Sequence, residues 1–351
     1  MHSHCENGIL FINNCYWGIK MFRRMKNTAV LFFCLLFVCG CAKTDEPASS
    51  AFSEGIYHLI GSQKGVSEDF FAGAGSSYND WAAIALCAAG ETKIKEKYLN
   101  ALENYVTNQY QTLGGLNARK ATEYHRVALT VLSLGGDPRQ FGYDQNGQPA
   151  DLVADGIWRF NGGDVGMQGV NGWIYALIVL DACGWTIPET ELLTRKDIVR
   201  NICQNQHDDG AWGLSPDIGD PDITAMALQA LHNDQEDAAA AAAIESGFLW
   251  LQSAQAEDWT FENMYGVSSE SISQVILALV ANGIDPQKDD RFLKNGKDPI
   301  AVLCEYQLPD GSFCHILDEK KGDLLATAEA VIALCAYERF INSGKFIFDF
   351  T

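Results

Sequence analysis

Two aspartates, Asp220 and Asp222, flank a proline just before the apolar segment 223–231. A carboxylic acid in apolar surroundings keeps its proton at a higher pH than usual, so Asp222 is a candidate general acid, with Asp220 as its upstream neighbour. The same residues are typical of a helix start, because Asp is a good N-cap and Pro suits the first helical position. The helix dipole then favours the charged form of Asp222. The sequence favours the helix start and keeps acid catalysis as the alternative.

Other polar and aromatic residues stand at the starts of apolar segments in a similar way. If these starts meet around one cavity, the candidate ligand-binding residues are Tyr78, Asp80, Trp81, Glu123, Tyr124, His125, Asn171, Trp173 and Glu270. Carboxylates beside aromatic rings suit a sugar or peptide cleft as well as a pocket for an apolar ligand. The structural alternatives are that Asp80 caps a helix and that His125 and Arg126 pair with Glu123.

The loop before segment 223–231 is rich in possible metal ligands. Its carboxylates are Asp208, Asp209, Asp217, Asp220 and Asp222, which are hard oxygen donors of the kind that Ca²⁺ prefers. Their spacing does not match an EF-hand loop. We therefore expect no cofactor and keep Ca²⁺ only as a minor alternative.

Two kinds of helical segment must position these residues. Segments that are apolar on every side are expected to be buried on every side; they cover residues 80–90, 124–135, 172–184, 223–231, 272–283 and 327–337. Segments with one polar face alternate with them, at residues 52–62, 94–106, 150–160, 191–206, 236–254 and 298–307. Six of each in strict alternation predict an all-α fold, an (α/α)6 barrel of six inner and six outer helices. The run Ala238–Ala243 is interpreted as helix, since Ala is the best helix former.

An internal repeat of about fifty residues supports this architecture. "ICQNQHDDGAW" (202–212) and "LCEYQLPDGSF" (303–313) share Cys, Gln, Asp, Gly and an aromatic residue at the same offsets, and a weaker copy begins at Gln255. Because Trp212 and Phe313 recur at the same repeat position, we expect them to lock outer helix to loop instead of contacting a ligand.

The N-terminal residues have the pattern of a targeting segment. Basic residues precede an apolar run at 28–38 that is too short to span a bilayer, and Cys41 follows at the position of a lipidated first residue. Residues 1–20 fit no signal pattern, and we therefore expect translation to begin at Met21 or Met25. We expect a leader at 1–41 with lipidation at Cys41, a linker at 42–50, the toroid at 51–342 and a tail at 343–351.

The net charge of the chain limits the classes of partner that we expect, and the cysteines bear on its redox state. The chain has 25 Lys plus Arg against 45 Asp plus Glu, a formal charge of −20, which disfavours nucleic acid and leaves the lipid anchor as the expected membrane contact. The expected location is the bacterial cell surface, outside the cytoplasm. Six cysteines follow the leader, and we expect them to be mostly free and buried, because three lie within very apolar segments.

The repeats and the aspartate box resemble those of a known superfamily. The Gln-x-x-Asp-Gly-x-aromatic units at 206–212 and 307–313 resemble the Gln/Trp repeats of the prenyltransferase and squalene-cyclase superfamily, and "DPDITA" (220–225) resembles its Asp-x-Asp-Asp-Thr-Ala box. The resemblance implies a toroid of α-helices, with Asp222 as the acid that protonates an alkene or epoxide in class II terpene cyclases. Ile223 departs from the box, where a third Asp is usual.

Related toroids include cobalamin carriers and prenyltransferase β subunits, so the fold leaves the function open. The function that we expect is a surface lipoprotein that binds a small molecule, a glycan or a protein at the N-terminal face of the inner helices. The alternatives are a class II cyclase-like enzyme using Asp222, a carbohydrate-active enzyme using two carboxylates from Asp80, Glu123 and Asp222, a cobalamin-type carrier, and a structural module.

Overall fold

The structure, a computed structural model, describes residues 49–62, 65–263 and 266–351. The predicted leader, including Met21, Met25 and Cys41, lies outside these residues. Within the described part of the chain, no helix has both the length and the apolar character needed to cross a membrane.

Helices make up nearly all the regular structure of the described residues. In chain order they are α1 (Ser49–Ile60), α2 (Glu68–Ala72), α3 (Ser77–Ala88), α4 (Lys95–Leu113), α5 (Ala121–Leu134), α6 (Leu152–Gly156), α7 (Asn171–Ala182), α8 (Arg195–Gln204), α9 (Pro221–Leu231), α10 (Ala238–Ala254), α11 (Ser269–Ala281), α12 (Pro299–Leu303) and α13 (Leu324–Ser343). Two antiparallel hairpins of two-residue strands join them: β1 (Gly61–Ser62) with β2 (Gly65–Val66), and β3 (Glu262–Asn263) with β4 (Gly266–Val267).

Six helices form a closed inner ring. Helices α3, α5, α7, α9, α11 and α13 pack each against the next, and α13 packs back against α3. The outer layer consists of α1, α4, α6, α8, α10 and α12, each packed against an inner helix. The prediction of an all-α (α/α)6 barrel with six inner and six outer helices is confirmed.

The two layers follow from side-chain type. In α3 of the inner ring, Ala82, Ala83 and Ala85 are fully buried, and such small side chains let neighbouring helices approach closely. In α4 of the outer layer, Tyr98 and Leu102 belong to one buried stripe on an otherwise polar helix. The run Ala238–Ala243 lies in α10, as predicted.

The repeat motif ties each loop to the next inner helix. Trp212 N donates to Thr224 Oγ1 at 2.9 Å, and Asp220 N donates to Trp212 O at 2.8 Å. The same bonds recur, two helix pairs further on, at Phe313, Thr327 and Asp323. Both aromatic rings are buried. Trp212 Nε1 also donates to Ile202 O of α8 at 2.8 Å, so the prediction that Trp212 locks the outer helix to the loop is confirmed.

The barrel has two different ends. Because inner and outer helices alternate in direction, the N-termini of the inner helices meet at one end, which we call the mouth end. The C-terminal residues cover the opposite, closed end, where Phe346, Ile347 and Phe348 are buried. Arg339 fixes this tail by donating to the carbonyl oxygens of Ile347 and Asp349.

Helix α1 crosses the barrel wall from the closed end to the mouth end. Near its start, Ser53 Oγ donates to Glu91 Oε1 at 3.4 Å, just beyond the C-terminus of α3. Near its end, His58 Nε2 lies 3.1 Å from Asp310 Oδ2, which belongs to the loop leading into α13. The described chain therefore enters the barrel at the closed end.

The described cysteines are free thiols, as expected. They are Cys87, Cys183, Cys203, Cys304, Cys314 and Cys335. The last three are buried and the others half-buried. Cys87 and Cys335 border a cavity of about 320 Å³ beneath the tail, together with Glu338.

Candidate functional site

Asp220 and Asp222 have different structural roles. Asp220 is the N-cap of α9, and its Oδ1 accepts hydrogen bonds from the backbone N of Asp222 and Ile223 at 2.9 and 3.0 Å. The equivalent cap of α13 is Asp323, and the residue two positions after it is Leu325. The repeat thus needs the capping aspartate, but it does not need a carboxylate at the position of Asp222.

The Asp222 side chain is half-buried at the mouth end, and its Oδ1 atom is fully buried. Its Oδ2 accepts a hydrogen bond from Asn263 Nδ2 of β3 at 3.3 Å, and its Oδ1 has no hydrogen-bond partner among the described residues. Burial raises the pKa of Asp222 to about 6, and the charges of Asp220 and Glu270 act in the same direction. The Asn263 amide and the Ser271 hydroxyl oppose this rise.

Glu270 is the second residue of α11, as Asp222 is of α9. His315 Nδ1 lies 2.9 Å from both Glu270 carboxylate oxygens, and Ser269 Oγ donates to one of them at 3.1 Å. Burial lowers the pKa of His315, but the hydrogen bond and charge of Glu270 outweigh it, so that the pKa is raised. Glu270 and His315 therefore form a polar pair near the surface of the mouth end.

A third carboxyl group, Glu329, lies on α13. Gln274 Nε2 of α11 donates to Glu329 Oε2 at 3.0 Å. Burial raises the pKa of Glu329 to about 8, with smaller contributions from the charges of Glu270 and Asp222. The charges of Glu270 and Asp222, from two other inner helices, thus both act on Glu329.

Largely apolar side chains from three inner helices lie at a similar depth to Glu329. The rings of Trp81 and Tyr175 lie 6.4 Å apart at 55°, and Tyr175 Oη donates to Met226 Sδ at 3.7 Å. These are the fifth or sixth residues of α3, α7 and α9, and Glu329 is the sixth of α13, so all four lie at similar depth below the mouth. Their side chains are only half-buried although they belong to the inner ring. They therefore border an open space inside the barrel.

Asp80 and Glu123 lie apart from this group and share a partner, Arg126. Arg126 Nε donates to Asp80 Oδ2 at 3.0 Å, and its Nη2 lies 2.8 Å from Glu123 Oε2. Tyr98 Oη and the backbone N of Gly75 also donate to Asp80 Oδ1, at 2.7 and 2.9 Å. Asp80 is fully buried, so its bonds hold the start of α3 to its neighbours.

Tyr124 and His125 bond to the surrounding loops. Tyr124 Oη accepts a hydrogen bond from Leu116 N at 2.9 Å. His125 Nε2 lies 2.8 Å from Gly156 O, and burial lowers its pKa to about 4, which keeps the ring neutral at pH 7. The expected pairing with Glu123 holds for Arg126 and not for His125.

The remaining predicted residues spread around the mouth end. Tyr78 is more than half exposed, and Trp173 is buried beneath Gly166, where a Cβ atom would lie 2.1 Å from the indole nitrogen. Asn171 Oδ1 is buried and has no partner within the described ranges. Of the predicted set, Asp222, Glu270 and Trp81 are the residues that accompany Glu329 and Tyr175.

Glu329, Tyr175 and Asn263 were not singled out from the sequence. Glu329 had a usable signal, since it is the one charged residue in the apolar stretch 324–337. Tyr175 had a weaker signal of the same kind, and Asn263 had none.

Some of the loop aspartates considered for Ca²⁺ bond to protein groups. Asp209 accepts hydrogen bonds from Ala211 N and Trp250 Nε1, and Asp220 caps α9. In the described part of the chain, no three His, Cys, Asp or Glu side chains are grouped to hold a metal ion.

Comparison with known proteins gives matches among solved structures alone. No family model and no curated protein matches the chain. The chain is similar to the type II terpene cyclase MstE from Scytonema, with 14% identity and a TM-score of 0.49, over 82% of this chain and 97% of that chain. A variant of that cyclase in complex with merosterolic acid A gives 13% identity and a TM-score of 0.48, over 83% and 97%.

A protein from Actinoplanes is similar to the same extent. Its identity is 16% and its TM-score 0.44, over 82% of this chain and 98% of that chain. At these identities and TM-scores, the similarity assigns neither residue roles nor a reaction to this chain.

Proposed function

We propose that this chain is an enzyme that uses Asp222 as a general acid on an apolar, isoprenoid-like substrate bound inside the barrel. The single observation that carries the proposal is the Oδ1 atom of the half-buried Asp222 side chain, which is buried and has no hydrogen-bond partner among the described residues. A buried polar atom without a partner is costly and is usually retained for a purpose. A pKa of about 6 leaves a usable protonated fraction near neutral pH.

The proposed reaction begins with proton transfer from Asp222 to an alkene carbon or an epoxide oxygen. The transfer leaves an Asp222 carboxylate and a substrate cation, which closes a ring and then loses a proton, so that protons balance over the cycle. The ring faces of Trp81 and Tyr175 suit the cation, because aromatic faces attract positive charge.

The "DPDITA" box supports the same role through its resemblance to the class II terpene cyclase box. Ile223 stands where the class II box has its third Asp, and the Ile223 side chain is buried. Glu270 on the adjacent helix α11 and Glu329 on α13 are further acidic groups that interact electrostatically with Asp222.

The test is turnover of squalene, oxidosqualene and geranylgeraniol by the wild type and by Asp222→Asn. In D₂O, we expect the wild-type products of squalene and geranylgeraniol, which are protonated at an alkene carbon, to carry one non-exchangeable deuterium at that carbon. Asp222→Asn should lose about 100-fold or more of the rate, because general acids contribute that much. Asp217→Asn is the matched control, since Asp217 lies in the same loop and is exposed. Unchanged turnover in Asp222→Asn would exclude this role.

A ligand-binding protein without turnover is the second candidate. The observation that favours it is the hydrogen bond from Asn263 Nδ2 to Asp222 Oδ2, because an N–H donor stabilises the ionised carboxylate. Such a protein would bind an isoprenoid, a glycan or a cobalamin-like ligand without converting it. Binding of a probe by the wild type and Asp222→Asn alike, with no product from either, is its signature.

For the location, we propose a lipid anchor at Cys41 on the bacterial cell surface. The support is the sequence pattern of residues 23–41, with basic residues, an apolar run and the cysteine. Labelled palmitate should enter the wild type, and Cys41→Ala should abolish the labelling. Labelling of Cys41→Ala to the wild-type level would contradict this anchor.

A further inference from the structure

We propose that Glu329 is a specificity-determining residue that donates a hydrogen bond to an oxygen atom of the ligand. The preferred ligand is then an apolar chain with one oxygen acceptor and not a bare hydrocarbon. This inference rests on the proposed function for the cavity as the binding site, and it adds a residue that the aspartate box does not contain.

The orientation of Glu329 is fixed by a chain of amides. Gln229 Nε2 donates to Gln274 Oε1 at 2.9 Å, so the Gln274 NH₂ group must point the other way, towards Glu329. It donates to Glu329 Oε2 at 3.0 Å. Oε1 receives no hydrogen bond from the described side chains, and the Glu329 side chain is half-buried beside the open space.

The surroundings favour the protonated acid. The titratable groups that act on Glu329 are Glu270, Asp222 and Asp323, all acidic, and Tyr175 lies across the cavity. No cationic side chain of the described chain forms an ion pair with Glu329. The pKa of about 8 agrees with a neutral carboxyl group at pH 7, which has an O–H to donate.

The fold itself does not require a carboxyl group at this position. The sixth residue of each of the two preceding inner helices is Met226 in α9 and Gln274 in α11. Apolar or amide side chains therefore serve the same place in the ring. A half-buried carboxyl group that the fold does not require is a candidate for ligand recognition.

The test compares three probes with one carbon skeleton: farnesene, farnesol and farnesyl methyl ether. Equilibrium binding is measured at pH 7 in the Asp222→Asn background, so that turnover does not interfere. We expect the alcohol and the ether to bind about tenfold more tightly than the hydrocarbon, as for one hydrogen bond in a buried site. Adding Glu329→Leu should remove this preference, and Glu329→Gln should keep part of it through its NH₂ group.

The control variant is Glu338→Gln, which lies on the same helix but at the closed end. It should keep the full preference. Above pH 8, Glu329 becomes an acceptor, so the ether should lose its advantage while the alcohol keeps it. Equal affinity of the parent protein for all three probes, no affinity for any, or a preference that survives Glu329→Leu would overturn the proposal.

The outcomes separate this inference from the proposed function. Preference for the oxygenated probes without any wild-type turnover would remove the acid catalyst and keep the role of Glu329. Turnover that depends on Asp222, together with binding that is unaffected by Glu329→Leu, would keep the acid catalyst and remove the role of Glu329.

Discussion

Arg126 Nε lies 3.0 Å from Asp80 Oδ2 in a pair that joins α3 to α5 and is almost entirely buried. The pair belongs to the wall of the ring, since the same guanidinium also donates to Gly75 O at 2.6 Å. Removing one partner leaves an uncompensated buried charge, which costs much more than an exposed ion pair contributes.

Arg126→Met should therefore lower the free energy of unfolding by about 3 to 5 kcal/mol. Chemical denaturation measures the loss. The control is Arg159→Met, which breaks an exposed pair with Asp155 and should cost less than about 1 kcal/mol. Similar losses in the two variants would show that the buried pair is not the stronger element.

Glu329→Gln should stabilise the protein at pH 8 more than at pH 4.5. The folded-state pKa of about 8 lies above the unfolded value, so the wild type is favoured at low pH and loses this stability as the pH rises to about 8. The difference between variant and wild type should grow by up to about 4 kcal/mol over this range. Melting temperatures across the range, with the exposed Glu245→Gln as control, measure it. A constant difference would mean that Glu329 stays charged.

The rate of the proposed reaction should follow the protonated fraction of Asp222. With a pKa of about 6, kcat/KM should be level at pH 5 and fall about tenfold per pH unit above pH 7. The measurement is a pH profile of turnover for whichever isoprenoid probe reacts. A rate that stays level up to pH 8 would point to a different acid.

Phe346→Ala should destabilise the closed end of the barrel. Phe346 is buried, and its ring lies 5.3 Å from that of His232 and 5.5 Å from that of Phe348. Loss of a buried Phe side chain costs about 3 to 5 kcal/mol. Thermal unfolding measures the change, and Lys345→Ala, at an exposed position, should have little effect. If both variants melt together with the wild type, the tail contributes nothing to stability.

The sequence predicted the ring because each helix shows its layer in its own composition. The segments that are apolar on every side correspond to the inner helices α3, α5, α7, α9, α11 and α13. The segments with one polar face correspond to the outer helices. The outer helices α6 and α12 are five residues long, shorter than the predicted 150–160 and 298–307. Propensity alone did not show how soon these helices end.

The site was less accessible to sequence reasoning, because it depends on the closure of the ring. Asp222 was found from its box, but Glu329 and Tyr175 come from helices far away in the chain. Their approach follows from the rotation of each helix, which a single sequence does not give. Asp80, a candidate ligand-binding residue with helix capping as the alternative, lies in the buried pair with Arg126, and Ser76 is the N-cap of α3.

The direction of α1 determines which end of the molecule faces away from an attachment. Its twelve residues span about 18 Å, from the end under the tail to the rim where His58 meets Asp310. A bead or a fluorophore attached at the N-terminus of α1 therefore lies on the side opposite the opening. Immobilised protein would keep its entrance turned towards the bulk solution, where bulky ligands approach unhindered.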